Sequence, residues 1–233
     1  MFLELSDEER ETQDTYNNPH IVSINEQANW NDDYGFDEFM RFRQLQPRGL
    51  ILDLGCGTAP HARFFAPPSY EYVGIDASCA MLQKAREYNP DLMFLRMRIE
   101  MLAFQDQQFD GFWSFAALPH IPRNKIEAVF QEIVRVTKPG AIGCLLMVEG
   151  EDTRMVEAEG TRALVTGYHT DECSQLLKKT NLPCLPAKSV YVVNFYMLYR
   201  LAHDMRIFTK ILFWDLFFIS DIYFYLSSRA SRS

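Results

Sequence analysis

Leu50-Ile51-Leu52-Asp53-Leu54-Gly55-Cys56-Gly57-Thr58-Ala59-Pro60 is the stretch that decides the fold. Leu50 to Leu52 is an apolar run too short for a helix and bounded by turn residues, which predicts a strand. Gly55 to Pro60 then reads as a turn, with Pro60 pre-set for the first position of a following helix. A strand entering a glycine turn that opens a helix is a ligand-binding device. Glycine lets the backbone approach a ligand with no Cβ in the way, and the helix N-terminus offers unpaired N–H groups. Such a turn can hold a dinucleotide or an adenosyl group. The dinucleotide pattern GxGxxG needs glycine at position 60, where this chain has Pro60. Asp53 at the strand end would meet a cationic amine and would repel a pyrophosphate.

Downstream, strands and helices alternate. Tyr72 to Ile75 reads as strand 2 and ends on Asp76, 23 residues after Asp53, a spacing that fits a βαβ unit. A carboxylate there can accept both ribose hydroxyls of a nucleoside. Ser78 is an N-cap candidate, and Met81, Leu82 and Ala85 give the next helix an apolar face. Leu92 to Leu95 and Phe109 to Phe115 read as strands 3 and 4. Ile126, Val129, Ile133 and Val134 have helical spacing before the stop Lys138-Pro139-Gly140, and Ala141 to Val148 reads as strand 5. The alternation predicts a parallel sheet with helices on both faces.

Upstream, residues 1–30 are polar and acidic and are expected to form a loose arm, or a lid that orders on ligand. Phe36, Phe39, Met40 and Phe42 predict a short amphipathic helix that ends before Pro47. Beyond strand 5, residues 149–163 are charged and read as a long loop. Thr170 is expected to cap a helix through Leu177 that Asn181 ends, and Ser189 to Tyr199 reads as the last strand.

The chain has 233 residues and a formal charge of −8, so nucleic acid is a poor default partner. Its five cysteines include no CxxC pair, and neither a zinc site nor a disulfide framework is expected. The acidic start gives no signal for export, and a cytoplasmic setting fits best.

Four blocks together resemble a known family. Asp53-Leu54-Gly55-Cys56-Gly57 looks like motif I of the class I S-adenosylmethionine-dependent methyltransferases, and Val73-Gly74-Ile75-Asp76 with Met81-Leu82 resembles motif II. Leu102-Ala103-Phe104 with Phe109-Asp110 resembles the approach to strand 4, and Arg135 to Gly140 resembles the block before strand 5. Trp113 to Pro122 matches a "W-x-F-A-x-L-x-H-I-P" segment of small bacterial, type 11-like members. The resemblance spans roughly residues 12–200. It implies a Rossmann-like, seven-stranded, mostly parallel sheet and S-adenosylmethionine as cofactor. The cofactor would be bound by Asp53, Gly55, Cys56, Gly57, Asp76, Ala77, Met81, Ile99, Glu100 and Phe115, with Tyr16 folding over it. Two positions depart from the pattern. Ala59 replaces the usual third glycine, and Arg98 stands where an Asp would accept from the adenine amino group. Arginine has no acceptor. Stacking by Arg98 on the adenine, with Glu100 as the acceptor, is the compensation open to this chain.

Methyl transfer is an in-line displacement, so holding the acceptor aligned supplies much of the rate, and a hydroxyl or ammonium acceptor also benefits from a general base. His120, at the carboxyl edge of the sheet, is the candidate base, and hydrogen bonding within a loop is its alternative role. Tyr168-His169 could reach the acceptor, or could be a packed aromatic beside a solvated histidine. Glu149, Glu151 and Asp152 could bind a cationic acceptor, or could be a solvated loop. Ser114-Phe115-Ala116-Ala117 replaces the Asn/Asp-Pro-Pro-Tyr segment that methylation of planar nitrogens uses.

The expected organisation is an arm over 1–30, a methyltransferase domain over 31–200 and an apolar C-terminal extension over 201–233. Ile207 to Leu226 has the length of a membrane span, but Lys210, Asp215 and Asp221 interrupt it. Each costs about 2.5–3.5 kcal/mol at the bilayer centre, against about 0.3–0.6 gained per apolar residue. Packing on the domain, a homodimer contact or weak membrane adhesion remain for this segment. The function expected is methyl transfer to oxygen or nitrogen of a small-molecule acceptor. A nicotinamide-dependent oxidoreductase and a non-catalytic module of the same fold are its rivals.

Overall fold

A computed structural model describes residues 4–29, 35–180 and 190–193. The central sheet has the order β3-β2-β1-β4-β5-β8, formed by β1 (Gly49–Leu54), β2 (Tyr70–Asp76), β3 (Met93–Arg96), β4 (Phe109–Ser114), β5 (Thr137–Val148) and β8 (Val190–Val193). All five of its strand pairings are parallel. The architecture is therefore the expected α/β one, with six strands in the sheet among the described residues where seven were expected.

Strand periodicity distributes the core. Ile51 faces one side of the sheet and Leu52 and Leu54 face the other, because successive strand residues point to opposite faces. The Leu52 side packs against α5 (Ile126–Val136), whose Ile126, Val129, Phe130, Ile133 and Val136 are all buried, and against Cys173 and Leu177 of α6 (Thr170–Lys179). The Ile51 side packs against Phe39 and Phe42 of α3 (Phe36–Leu45) and Leu82 and Ala85 of α4 (Cys79–Tyr88). This second core is aromatic: Phe42, Phe65 and His61 each meet Trp113 edge to face at 5.6–5.8 Å between ring centroids. Asp53 is one residue removed from both Leu52 and Leu54, so it projects into this aromatic side.

Three expectations are corrected. Residues 4–29 of the expected arm are not loose: Asp7–Asn17 form α1 and Pro19–Asn29 form α2. α1 is held by a reciprocal capping box, in which Ser6 and Glu9 each bond the other's backbone N–H, and by tertiary hydrogen bonds rather than by apolar burial. Residues 149–163 are not one long loop, for Thr153–Ala158 and Thr161–Thr166 pair antiparallel as the hairpin β6–β7. Its two-residue turn, Glu159-Gly160, has φ of 49° and 70°, the left-handed pair that suits the twist of a hairpin. Glutamate is a poor marker for such a turn. The segment after Pro60 is a short 3-10 helix, Pro60–Phe64. α6 begins at Thr170 with His169 in the cap position. Of the expected last strand, Val190–Val193 are described. Asn181 and the 201–233 extension lie outside the described residues, and no described helix is long and apolar enough to cross a membrane.

Candidate active site

Parallel pairing in register brings the carboxyl ends of β1, β2 and β4 together: Asp53 stands beside Gly74 and Trp113, and Asp76 stands beside Arg96. The glycine turn leaves β1 at this edge. Gly55 (φ 69°) is pressed against Ala117, since a Cβ on it would fall 2.2 Å from the Ala117 Cβ. Gly57 (φ 55°) is more open: among the described residues, the Asn25 side chain at 3.7 Å is the one atom within 4 Å of a Cβ built there. Gly55 thus serves packing, and Gly57 provides the open approach.

Asp76 anchors the turn. One carboxylate oxygen accepts the Gly57 N–H at 2.9 Å and the other accepts the Ser78 N–H at 2.8 Å. Burial raises its pKa, and the backbone N–H groups of Ser78, Gly57 and Ala77 oppose the rise. A carboxylate offers about four lone-pair sites, so acceptor capacity toward a ribose hydroxyl remains beyond these backbone bonds. Asp53 is buried, and its carboxylate accepts the Tyr72 hydroxyl at 2.5 Å. Burial pushes its pKa up to about 7 against the lowering effect of that hydrogen bond.

The other expected cofactor residues fall into two groups. Met81 and Ile99 are buried at this edge, and the Ala77 carbonyl accepts from Gln13 and Arg96, each at 3.2 Å. Phe115 stacks on Trp113 at 5.7 Å and meets His61 edge-on at 4.7 Å. Cys56 does not present its side chain to the cleft. Its Sγ is tucked where a Cβ on Gly74 would lie 2.9 Å away, its N–H bonds the Ile75 carbonyl, and burial drives its thiol pKa well up. Glu100 is engaged by Arg98, whose Nη2 and Nε reach its two carboxylate oxygens. Arg98 also lies 3.5 Å from Glu9. Arg98 is therefore tied to two carboxylates.

α1 lies against this edge and reaches the segments that follow β2 and β4. Its Tyr16 hydroxyl is 2.6 Å from His120 Nε2, and the Tyr16 carbonyl accepts from Ser78 Oγ at 2.8 Å. Glu9 accepts Lys125 Nζ at 2.5 and 2.7 Å and is held below the usual carboxylate range by that lysine and by Ser6, in spite of burial. His120 Nδ1 lies 2.7 Å from the Leu164 carbonyl of β7. A carbonyl can only accept, so Nδ1 carries the proton and Nε2 is left as the acceptor. Burial lowers the His120 pKa, which keeps the ring neutral near pH 7.

The remaining candidates take other surroundings. Tyr168 is fully buried in the α5/α6 core beneath Arg123, whose guanidinium sits 4.5 Å over its ring. His169 is exposed and pairs with Glu151 at 3.3 Å, Asp152 pairs with Arg154 at 3.7 Å, and Glu149 is exposed. Sequence reasoning missed Glu9, Thr12 and Lys125. The Ser6-x-x-Glu9 capping box was the available signal for α1; nothing local announced the tertiary partners of these three residues.

Residues 51–140 match the family model of the methyltransferase domain. They form a class I methyltransferase domain. Around this domain the chain is 32% identical over 116 residues to 2-methyl-6-phytyl-1,4-hydroquinone methyltransferase of Synechocystis, covering 48% of this chain and 36% of the relative. It is 31% identical over 166 residues to a malonyl-[acyl-carrier protein] O-methyltransferase of Hamiltonella defensa, covering 62% and 63%. The chain spans about a third of the length of several curated relatives. Among solved structures, the methyltransferase fold recurs in DhpI, crystallised as a DhpI-SAM-HEP complex (TM-score 0.61, 18% identity, 76% of this chain and 91% of that one). It recurs again in a Burkholderia thailandensis N1-methyltransferase (TM-score 0.56, 15% identity, 77% and 81%).

Proposed function

We propose that this protein transfers the methyl group of S-adenosylmethionine to a hydroxyl or amine of a small-molecule acceptor. The observation that carries the reading is Asp76, fixed by the Gly57 and Ser78 N–H groups, beside a glycine turn whose Gly57 has, among the described residues, no atom closer than 3.7 Å to a Cβ built on it. These residues fit a nucleoside. Asp76 would hold the ribose, Gly57 would give the methionyl part close approach, and Ile99 and Met81 offer apolar contact. When bound, the sulfonium supplies an electrophilic methyl group.

The chain's own residues supply the rest. His120 Nε2 accepts a hydrogen bond and can take the proton of a hydroxyl or amine as it is methylated. Tyr16 occupies that nitrogen at 2.6 Å and marks where a protic acceptor would bind. α1 and α2 cover the edge and limit access of water. The hydroquinone and acyl-carrier-protein methyltransferases to which the chain is similar act on different acceptors, which leaves the present acceptor defined by chemistry alone. The charge of −8 argues for a small molecule over nucleic acid. A nicotinamide cofactor has no comparable support, since Pro60 begins the 3-10 helix where GxGxxG needs its last glycine.

The test is calorimetry with S-adenosylhomocysteine. Binding is expected, with Asp76→Ala weaker by at least about tenfold, the equivalent of about 1.4 kcal/mol and of one lost charge-assisted hydrogen bond. Equal affinity in the mutant would remove Asp76 from the site.

A further inference from the structure

Leu164 of the hairpin β6–β7 joins its strand to the site through both of its backbone groups. In an antiparallel pair, alternate residues turn both backbone groups away from the partner strand. Leu164 is such a residue. Its N–H donates to Thr12 Oγ1 at 2.8 Å, and its carbonyl is 2.7 Å from His120 Nδ1. Two residues earlier, the Arg162 carbonyl accepts the Thr15 hydroxyl at 2.6 Å. Thr12, Thr15 and Tyr16 share one face of α1 by their i, i+3, i+4 spacing. One helical face therefore holds the strand edge at two points and places the phenol on His120.

The chemistry of Thr12 allows one arrangement. Its hydroxyl proton is committed to the Glu8 carbonyl at 2.7 Å, so toward Leu164 the oxygen can only accept. That fixes the Leu164 N–H, and with it the carbonyl of the same residue, which points the same way along the edge. The carbonyl in turn decides which ring nitrogen of His120 carries the proton.

We propose that Thr12 is a positioning residue: it holds Leu164 so that the Leu164 carbonyl keeps the His120 proton on Nδ1 and presents Nε2 as an acceptor in the cleft. The use of that acceptor rests on the methyl-transfer reading above, whereas the tautomer itself does not. An imidazole with the opposite tautomer would place N–H toward the cleft and could not receive a proton from the acceptor. The hairpin is on this view part of the catalytic apparatus, and α1 acts on the base through the hairpin as well as through Tyr16.

The experiment is long-range proton–nitrogen correlation NMR on the full chain labelled with 15N-histidine, near pH 7 and without ligand, with His120→Gln used to assign the signals. The wild type is expected to show one neutral tautomer of His120, with a protonated-type Nδ1 and an unprotonated-type Nε2. Thr12→Val, similar in volume and lacking the hydroxyl, is expected to collapse this to a mixture of both tautomers and to lose slow exchange of the Leu164 amide. Thr12→Ser is expected to restore both. An Nε2–H tautomer in the wild type overturns the proposal without any variant, so it stays falsifiable even if Thr12→Val does not fold. An unchanged tautomer in folded Thr12→Val also overturns it. Failure of S-adenosylhomocysteine to bind in parallel calorimetry bears on the cofactor reading alone, since the tautomer is read in the free protein.

Discussion

The hydroxyl of Tyr16 lies 2.6 Å from Nε2 of His120, joining the first helix of the chain to the loop after β4 across 104 residues of sequence. With Nδ1 committed to the Leu164 carbonyl, Nε2 can only accept, so the phenol is the donor. An acceptor hydroxyl that displaces Tyr16 would inherit the same bond.

That contact sets the first prediction. Tyr16→Phe removes one donor and leaves His120 Nε2 without it, which should lower stability by about 0.5–1.5 kcal/mol in urea titration. His120→Gln should cut turnover by about 10²–10⁴-fold with any protic acceptor that the wild type methylates. A fully active His120→Gln would confine this histidine to a structural role.

A second prediction concerns acid. The pKa of Asp53 is about 7 in the folded protein, above the 3.8 of an ordinary Asp. Its contribution to stability is therefore greatest below 3.8 and is lost as pH rises toward 7, because the folded state then holds a proton the unfolded chain has released. Asp53→Asn keeps an acceptor for Tyr72 and carries no charge, so it should raise the melting temperature at pH 8 relative to wild type. Binding of S-adenosylhomocysteine should run the other way. If its ammonium needs the ionised carboxylate, affinity should fall by about tenfold per pH unit below about 7, and calorimetry between pH 5.5 and 8 would show whether it does.

The hold on α1 offers a third test. Glu9 is buried between Lys125 and Arg98 while capping its own helix. Glu9→Gln preserves the capping box but discards the charge. The expected loss is about 1.5–3 kcal/mol, the usual worth of a hydrogen bond to a charged group, together with faster amide exchange in α1. The Glu9 carboxyl is held below its ordinary 4.5, so its contribution is full above that value and is lost as pH falls through the lowered one.

The fourth prediction follows from Ala59, which is fully buried at φ 58° where glycine is favoured. Left-handed backbone costs an L residue about 1–2 kcal/mol, and a buried methyl group returns about 0.8 kcal/mol. Ala59→Gly should therefore stay within about 1 kcal/mol of wild type or gain slightly. Ala59→Val places a β-branched residue in the same conformation and should lose clearly more. Chemical denaturation of the two variants would separate them.

The candidate site was legible in part. The strand into a glycine turn, the carboxylates Asp53 and Asp76 and the position of His120 could all be read locally, since each follows from hydrophobic period, turn chemistry and spacing. The hairpin could not, because Glu159 does not announce the left-handed turn it makes and its strands are too charged to stand out. The order of α1 was hidden for a related reason: it is held by polar side chains whose partners lie far along the chain.

What the sequence by itself determined is the alternation of strand and helix from Leu50 to Val148, and with it a parallel sheet that gathers Asp53, Asp76 and His120 at one edge. What only the tertiary structure decided is how those groups are set. Tyr72 meets Asp53, Arg98 turns to Glu9 and Glu100, and α1 closes on β7 and His120. The physical reason is range. Hydrophobic period and backbone propensity act over a few residues and are written in local sequence, whereas a buried carboxylate, guanidinium or imidazole takes its partner from whatever the fold brings within about 3 Å, as Glu9 takes Lys125 from 116 positions away.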